Sequence, residues 1–141
     1  RTLNMSWIEH YFKVEEADRQ VLDDPAGRII NLGGEVLFAV SRGREQVIGT
    51  CALIRLENET AELAKMAVCE EAKGKQVGSL LGESVIERAR ARGFQTLVLE
   101  SNRKLTPAMS LYKKLGFVEK PFPHPSEYSR ADIYMELSLF P

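Results

Sequence analysis

Residues 66–81 read MAVCEEAKGKQVGSLL. An apolar run ends near Cys69, two acids follow, lysines and glycines crowd positions 73–78, and a second apolar run begins at Val77. Glycine weakens a helix and clustered lysines repel one another, so both are unfavourable where a helix is about to start. An anion held there resolves the conflict. In the order strand, glycine-bearing loop, helix, the unpaired N–H groups of the first helical turn point outward, and the helix dipole adds partial positive charge. Gly74 and Gly78 let a ligand approach the backbone closely, while Lys73 and Lys75 add attraction at longer range. The alternative is a plain turn at Gly74 with both lysines solvated. The segment is neither a Walker loop, G-x-x-x-x-G-K-[ST], nor the dinucleotide fingerprint G-x-G-x-x-G.

Upstream of the loop, AELAKMAV (61–68) is strand-like. Downstream, Val77, Leu80, Leu81, Val85 and Ala89 form one helical stripe with Ile86 beside it. Arg88, Arg90 and Arg92 crowd the last turn, where cations suit the dipole, and Gly93 is a natural stop. TLVLES (96–101) is almost wholly apolar, as in a strand buried on both faces. Strand, helix and strand make a βαβ unit, hence a parallel pair inside a mixed sheet. EVLFAV (35–40) and VIGTCALIRL (47–56) flank the turn SRGREQ and predict a hairpin. After TLVLES, Thr106-Pro107 predicts a helix start with a capping hydroxyl. Ala108, Leu111, Tyr112 and Leu115 follow at i, i+3, i+4 and i+7, and Gly116 closes the helix. FVEK and ADIYMELSL supply two last strands around PFPHPSEYS. At the other end, Leu3, Trp7, Ile8, Tyr11 and Phe12 recur at helical spacing, and a second short helix is expected over about 14–22, ended by Asp23-Asp24-Pro25.

The 141 residues suit one α/β domain, 1–141, with a real core. A net charge of −1 gives no reason to expect nucleic acid or a membrane surface as partner. No apolar stretch approaches the ~20 residues of a membrane-crossing helix. Cys51 and Cys69 lack a CxxC spacing and read as reduced thiols of a cytoplasmic protein, with a single disulfide left open. Neither His10 nor His124 has a companion at metal-ligand spacing, so no metal is expected.

MAVCEEAKGKQVGSLL resembles the acetyl-CoA signature of the GNAT (Gcn5-related N-acetyltransferase) superfamily. LESNRKLTPAMSLYKKLGFVE resembles that family's second block, in which Asn follows the strand and Ala-x-x-x-Tyr precedes Leu-Gly-Phe. The match runs from about Glu35 to Val118. It implies a GNAT-like fold, a central mixed sheet with splayed parallel strands flanked by helices. The family's opening strand has no counterpart before the first helix, as in a chain cut at its N-terminus or a domain of a longer one. The loop departs from the family pattern [Gln/Arg]-x-x-Gly-x-[Gly/Ala], having Lys73-x-x-Gln76-x-Gly78. Gln76 suits a right-handed helical backbone at that position and does not suit a positive φ.

The resemblance implies an acetyl-CoA-dependent N-acetyltransferase, moving acetyl from the thioester directly to an amine of a small molecule or peptide. The competing class is a non-catalytic acyl-CoA-binding sensor or regulatory module. Backbone groups of Met66, Ala67 and Val68 would line the pantetheine arm of coenzyme A. The loop from Lys73 and Gly74 through Lys75, Gln76, Val77, Gly78 and Ser79 would hold its pyrophosphate. Asn102 and Ala108 would reach the cofactor from the facing strand and helix. Tyr112 is the candidate acid for the departing thiolate, or else a core tyrosine. Glu62 is the candidate base, or else a charged residue at a solvated strand start; Glu100 also lies on a central strand, and Lys65 would neutralise an acid or point to solvent. The acceptor pocket would draw on Trp7, His10, Tyr11, Phe12 and PFPHPSEYSR, where Tyr128 and Arg130 either meet an acceptor carboxylate or buttress the last strand. A homodimer is among the assemblies this reading allows.

Overall fold

A computed structural model describes residues 1–5, 16–43, 46–74 and 76–140, with the side chains of 16–18 and 21 left aside. Trp7, Ile8, His10, Tyr11, Phe12 and Lys75 thus lie outside the described residues. Residues 2–5 are helical, and α1 (Glu16–Asp23) ends where Asp24-Pro25 predicts. Past Pro25 the backbone makes one π-helical turn, Ala26–Ile30, which no sequence signal announces. It buries Ile29 under the first two strands.

Six strands form one sheet: β1 (Glu35–Val40), β2 (Val47–Arg55), β3 (Thr60–Val68), β4 (Thr96–Ser101), β5 (Val118–Lys120) and β6 (Ile133–Ser138). Their order across the sheet is β1-β2-β3-β4-β6-β5, with only β3 and β4 parallel. The predicted hairpin and βαβ unit are both present. Two further helices complete the fold, α2 (Val77–Ala91) and α3 (Thr106–Leu115), packed on each other, with α2 against β2 and β3.

The core lies between these helices and one sheet face. Val77, Leu81, Gly82, Val85, Ile86 and Ala89 are the buried positions of α2. Leu80, expected in that stripe, is instead 60% exposed. Gly82 takes the inward position, and a Cβ there would stand 2.7 Å from Leu115 Cδ1. The glycine is therefore what lets α3 approach so closely. Thr106 does not cap α3: Leu105 is the N-cap residue, no side chain bonds the first turn, and Thr106 is already helical. Pro107 still occupies the helix start, where its missing N–H costs nothing.

The arginines of α2 do more than complement a dipole. Arg88 and Arg92 both hold Glu35 of β1, at 3.0 and 3.1 Å, and Arg92 also donates to the Gly33 carbonyl at 2.6 Å. Arg90 donates to the Leu139 carbonyl at 3.1 Å. One helix end thus ties the start of β1 to the residue that follows β6.

Candidate cofactor cleft and active site

β3 and β4 part company soon after they meet. Thr60, Ala61 and Glu62 pair with Thr96, Leu97 and Val98, and no pair follows, although β3 runs on to Val68 and β4 to Ser101. The two strands therefore open a V whose apex is at Glu62. A bulge in β3 widens it. Thr50 pairs with Ala67 but Ala52 with Ala64, so Lys65 and Met66 together oppose Cys51, and Lys65 has φ +55°. The extra residue switches the side-chain alternation, turning Met66 onto the α2 face, where its Sδ and Cε approach Gly78 and Gly82. The Cys69 N–H bonds the Ile48 carbonyl of β2. By alternation, the main-chain groups of Ala67 face β2 while those of Met66 and Val68 face the open V.

The loop sits at the wide end. A 3₁₀ turn, Glu70–Ala72, leads through Gly74 at φ +80° to Gln76 at φ +61°, the N-cap of α2. The sequence condition for tolerating Gln76 is thus not met: its backbone is left-handed, which disfavours any side chain. No Gln76 side-chain bond to the helix start offsets the cost. The first helical bond at this end runs from Leu80 N–H to Gln76 O, so the amides of Val77, Gly78 and Ser79 lie ahead of the helix ladder. Three converging donors with no side-chain cap, at the mouth of the V, suit a negatively charged group. Lys73 bonds Glu70 at 2.7 Å on the surface beside them.

The two sheet faces bring different chemistry to the V. On the helix side, Tyr112 is 9% exposed within the core, edge-on to Phe117 at 6.0 Å. Burial raises its pKa, and the nearby Cys51 thiol adds to the effect. Cys51 itself donates to the Ala64 carbonyl at the bulge, 3.6 Å away, which sets Tyr112 beside the V. A tyrosine so placed stays protonated at neutral pH and can offer its O–H to an anion that forms in the V. Ala108, one turn earlier on α3, is half-buried against the same core.

On the opposite face, pairing puts Glu62, Val98, Glu100, Tyr134 and Glu136 side by side. Glu62 is partly buried, and its pKa is pushed up to about 7, first by desolvation and then by the charges of Glu100 and Glu127, against the opposing pull of Lys65 and His124. Tyr134 is pushed up to about 12 by burial and by Glu136, to which it is hydrogen-bonded, with Glu100 and Glu62 contributing. At the bulge, Lys65 Nζ donates to the Tyr128 hydroxyl at 2.7 Å, and the Arg130 guanidinium lies 4.5 Å from the same ring. Asn102 fixes this segment: its Nδ2 donates to the Arg130 carbonyl at 2.7 Å and its Oδ1 accepts from Lys104 N–H at 2.9 Å. Its amide thus already has one bond on each side, leaving one N–H for a ligand. Tyr128 and Arg130 were singled out in sequence, either to meet an acceptor carboxylate or to buttress the last strand; their meeting with Lys65 depends on the bulge, which leaves no sequence mark.

The acetyltransferase (GNAT) family profile matches residues 2–117. The chain belongs to the GNAT acetyltransferases. Its fold is that of a GNAT acetyltransferase from Staphylococcus aureus Mu50, with a TM-score of 0.87 over 99% of this chain and 90% of the other, at 23% identity. A Bacillus subtilis acetyltransferase solved in complex with CoA superposes with a TM-score of 0.71 over 89% and 86% of the two chains, at 21% identity. Among curated relatives, an IAA acetyltransferase of Azospirillum brasilense is 34% identical over 61% of this chain and 57% of its own length. A zebrafish (Danio rerio) N-acetylaspartate synthetase is 36% identical over 57% of this chain and 29% of its own. The matches thus span little more than half the length of the first of these GNAT relatives and less of the second. Among the described residues, no helix is long and apolar enough to cross a membrane.

Proposed function

We propose that the chain is an acetyl-CoA-dependent N-acetyltransferase that transfers acetyl directly from the thioester to an amine. The observation that carries this reading is the V between β3 and β4 opening onto an uncapped helix start. The residues fit coenzyme A. Amides of Val77, Gly78 and Ser79, with that of Gln76, would hold the pyrophosphate, Lys73 and Lys75 adding charge nearby. Met66 and Val68 would bond the pantetheine arm as a neighbouring strand does, with Ala67 keeping β3 anchored to β2. Asn102 and Ala108 would border the arm from β4 and α3. When bound, acetyl-CoA supplies an activated acyl group with a thiolate leaving group.

The two faces of the sheet divide the work. Glu62, unprotonated above about pH 7, takes a proton from the acceptor ammonium and leaves the nitrogen lone pair free. A C–N bond then forms at the thioester carbonyl as the C–S bond breaks. A β3 amide facing the V steadies the carbonyl oxygen. Tyr112, on the other face, gives its proton to the sulfur, and the second proton lost from nitrogen restores balance through solvent. No covalent enzyme intermediate is needed. Cys69 has no histidine beside it in sequence, and burial lifts the Cys51 thiol to about 12, so neither is a suitable nucleophile.

Tyr112→Phe tests the reading. Free-thiol release with an amine panel should fall about a hundredfold or more while acetyl-CoA still raises the melting temperature. A wild-type protein that is stabilised by acetyl-CoA and releases no thiol with any amine would instead be the binding module.

A further inference from the structure

Two carboxylates border the slot between β3 and β4, Glu62 at its apex opposite Val98 and Glu100 two residues further along β4. Alternation puts both on the same sheet face, and Glu100 is the first residue of that face beyond the last β3–β4 pair. Across the opening, β3 offers only the methyl group of Ala64 before the bulge at Lys65 and Met66. Glu100 is half-buried, and neither it nor Glu62 has a hydrogen bond or ion pair to a described residue. Tyr134 stands beside Glu100 on β6, but its hydroxyl is given to Glu136. Lys120 opposes Tyr134 from β5, one strand further off, and is exposed. Half-buried carboxylates without a bonded donor are unfavourable, and a cation entering the slot relieves both.

Resting on the acetyltransferase reading above, we propose that Glu100 docks the acceptor ammonium while Glu62 deprotonates it, so that the acceptor is a primary amine arriving as a cation. An alkyl ammonium carries three N–H donors, enough for both carboxylates at once. Loss of one proton to Glu62 frees the lone pair. The N–H held by Glu100 keeps the nitrogen beside the thioester as it turns to attack, and the C–N bond then forms as the C–S bond breaks. The amide product is neutral and loses its charge-assisted bond to Glu100, which favours release. Glu62 is the base of the pair because burial, then the charges of Glu100 and Glu127, lift its carboxyl to about 7 against the pull of Lys65 and His124. Tyr134 and Glu136 lie on the same face on β6.

Glu100→Gln keeps the shape of the side chain and removes its charge. The assay is thiol release at saturating acetyl-CoA, with whichever of phenethylamine, cadaverine, lysine and spermidine the wild type uses best. KM for that amine should rise roughly tenfold to a hundredfold with kcat little changed. The pH limb of kcat/KM should move below its wild-type position, because a charge that holds the Glu62 proton is gone. Glu100→Asp should recover part of the lost affinity, and KM for acetyl-CoA should stay as in wild type. Thermal melting reports whether each variant is folded, with Glu100→Ala as the second variant should Glu100→Gln not fold. An unchanged amine KM or an unmoved limb in a folded variant overturns the docking role. Loss of kcat together with the limb also overturns it, by making Glu100 the base; each of these leaves the acetyltransferase reading standing. No stabilisation of the wild type by acetyl-CoA, or no thiol release with any amine, overturns both.

Discussion

A carboxyl held near neutrality on a face crowded with other carboxyls has two measurable signatures. The groups facing Glu62 are Glu100 on β4, Tyr134 and Glu136 on β6, Glu127 and His124 in the segment before β6, and Lys65 on its own strand. If Glu62 is the base, kcat/KM for an amine should rise with pH along a limb centred near 7, and Glu62→Gln should remove that limb along with most of the activity. Linkage gives the second signature. The folded pKa lies above the ordinary carboxyl value, so the folded state holds the proton more tightly than the unfolded chain. Stability from this group is therefore present below pH 4.5 and lost as pH rises through about 7. Glu62→Gln should melt higher than wild type at pH 8, by about 2 kcal/mol at most given its partial exposure, and match it at pH 4.5; equal melting at both would contradict the burial cost. Gln76 is a separate residue-scale case. Its left-handed backbone costs about 1 kcal/mol relative to glycine, so Gln76→Gly should stabilise by up to that amount in a denaturant titration. Nothing in the structure explains why glutamine stands there.

At the scale of elements, the clearest sequence signals were periodicities backed by punctuation. EVLFAV and TLVLES are strands with the expected ends, and Gly116, in a left-handed backbone, ends α3 as expected. Leu80 misled because five positions at helical spacing describe an arc, and only a partner decides which edge of the arc is buried. The helix turns Gly82 inward because Leu115 of α3 needs the space. Gly82→Val should accordingly cost about 1–3 kcal/mol on chemical denaturation, whereas Leu80→Gln should change stability by less than about 0.5 kcal/mol. The bulge at Lys65 and the π turn after Pro25 were illegible for a different reason: both arise where two elements must fit, not from any local preference. Glu35 was likewise an ordinary strand residue in sequence. Its two arginines hold its carboxyl below the usual range, so its contribution is present above pH 4.5 and fades as pH falls below that. Glu35→Gln should destabilise by about 1 kcal/mol at pH 7 and by less at pH 3.

For the molecule as a whole, one sheet serves as a partition with a slot in it. α2, α3 and Tyr112 lie on one side, the acidic face proposed for the acceptor on the other, and the slot between β3 and β4 joins them. The fold and the loop were readable because both leave patterns along a strand or helix. The contact of Lys65 with Tyr128 was not, because residues 63 positions apart meet only through register, a bulge and an anchored segment. The proposed cofactor grip is the claim on which the rest depends, and backbone amide NMR during an acetyl-CoA titration tests it most directly. The amides of Val77, Gly78 and Ser79 should shift most, with Met66 and Val68 following, and the shifts should saturate together with the rise in melting temperature. Saturable binding that leaves those amides unmoved while others respond would contradict it.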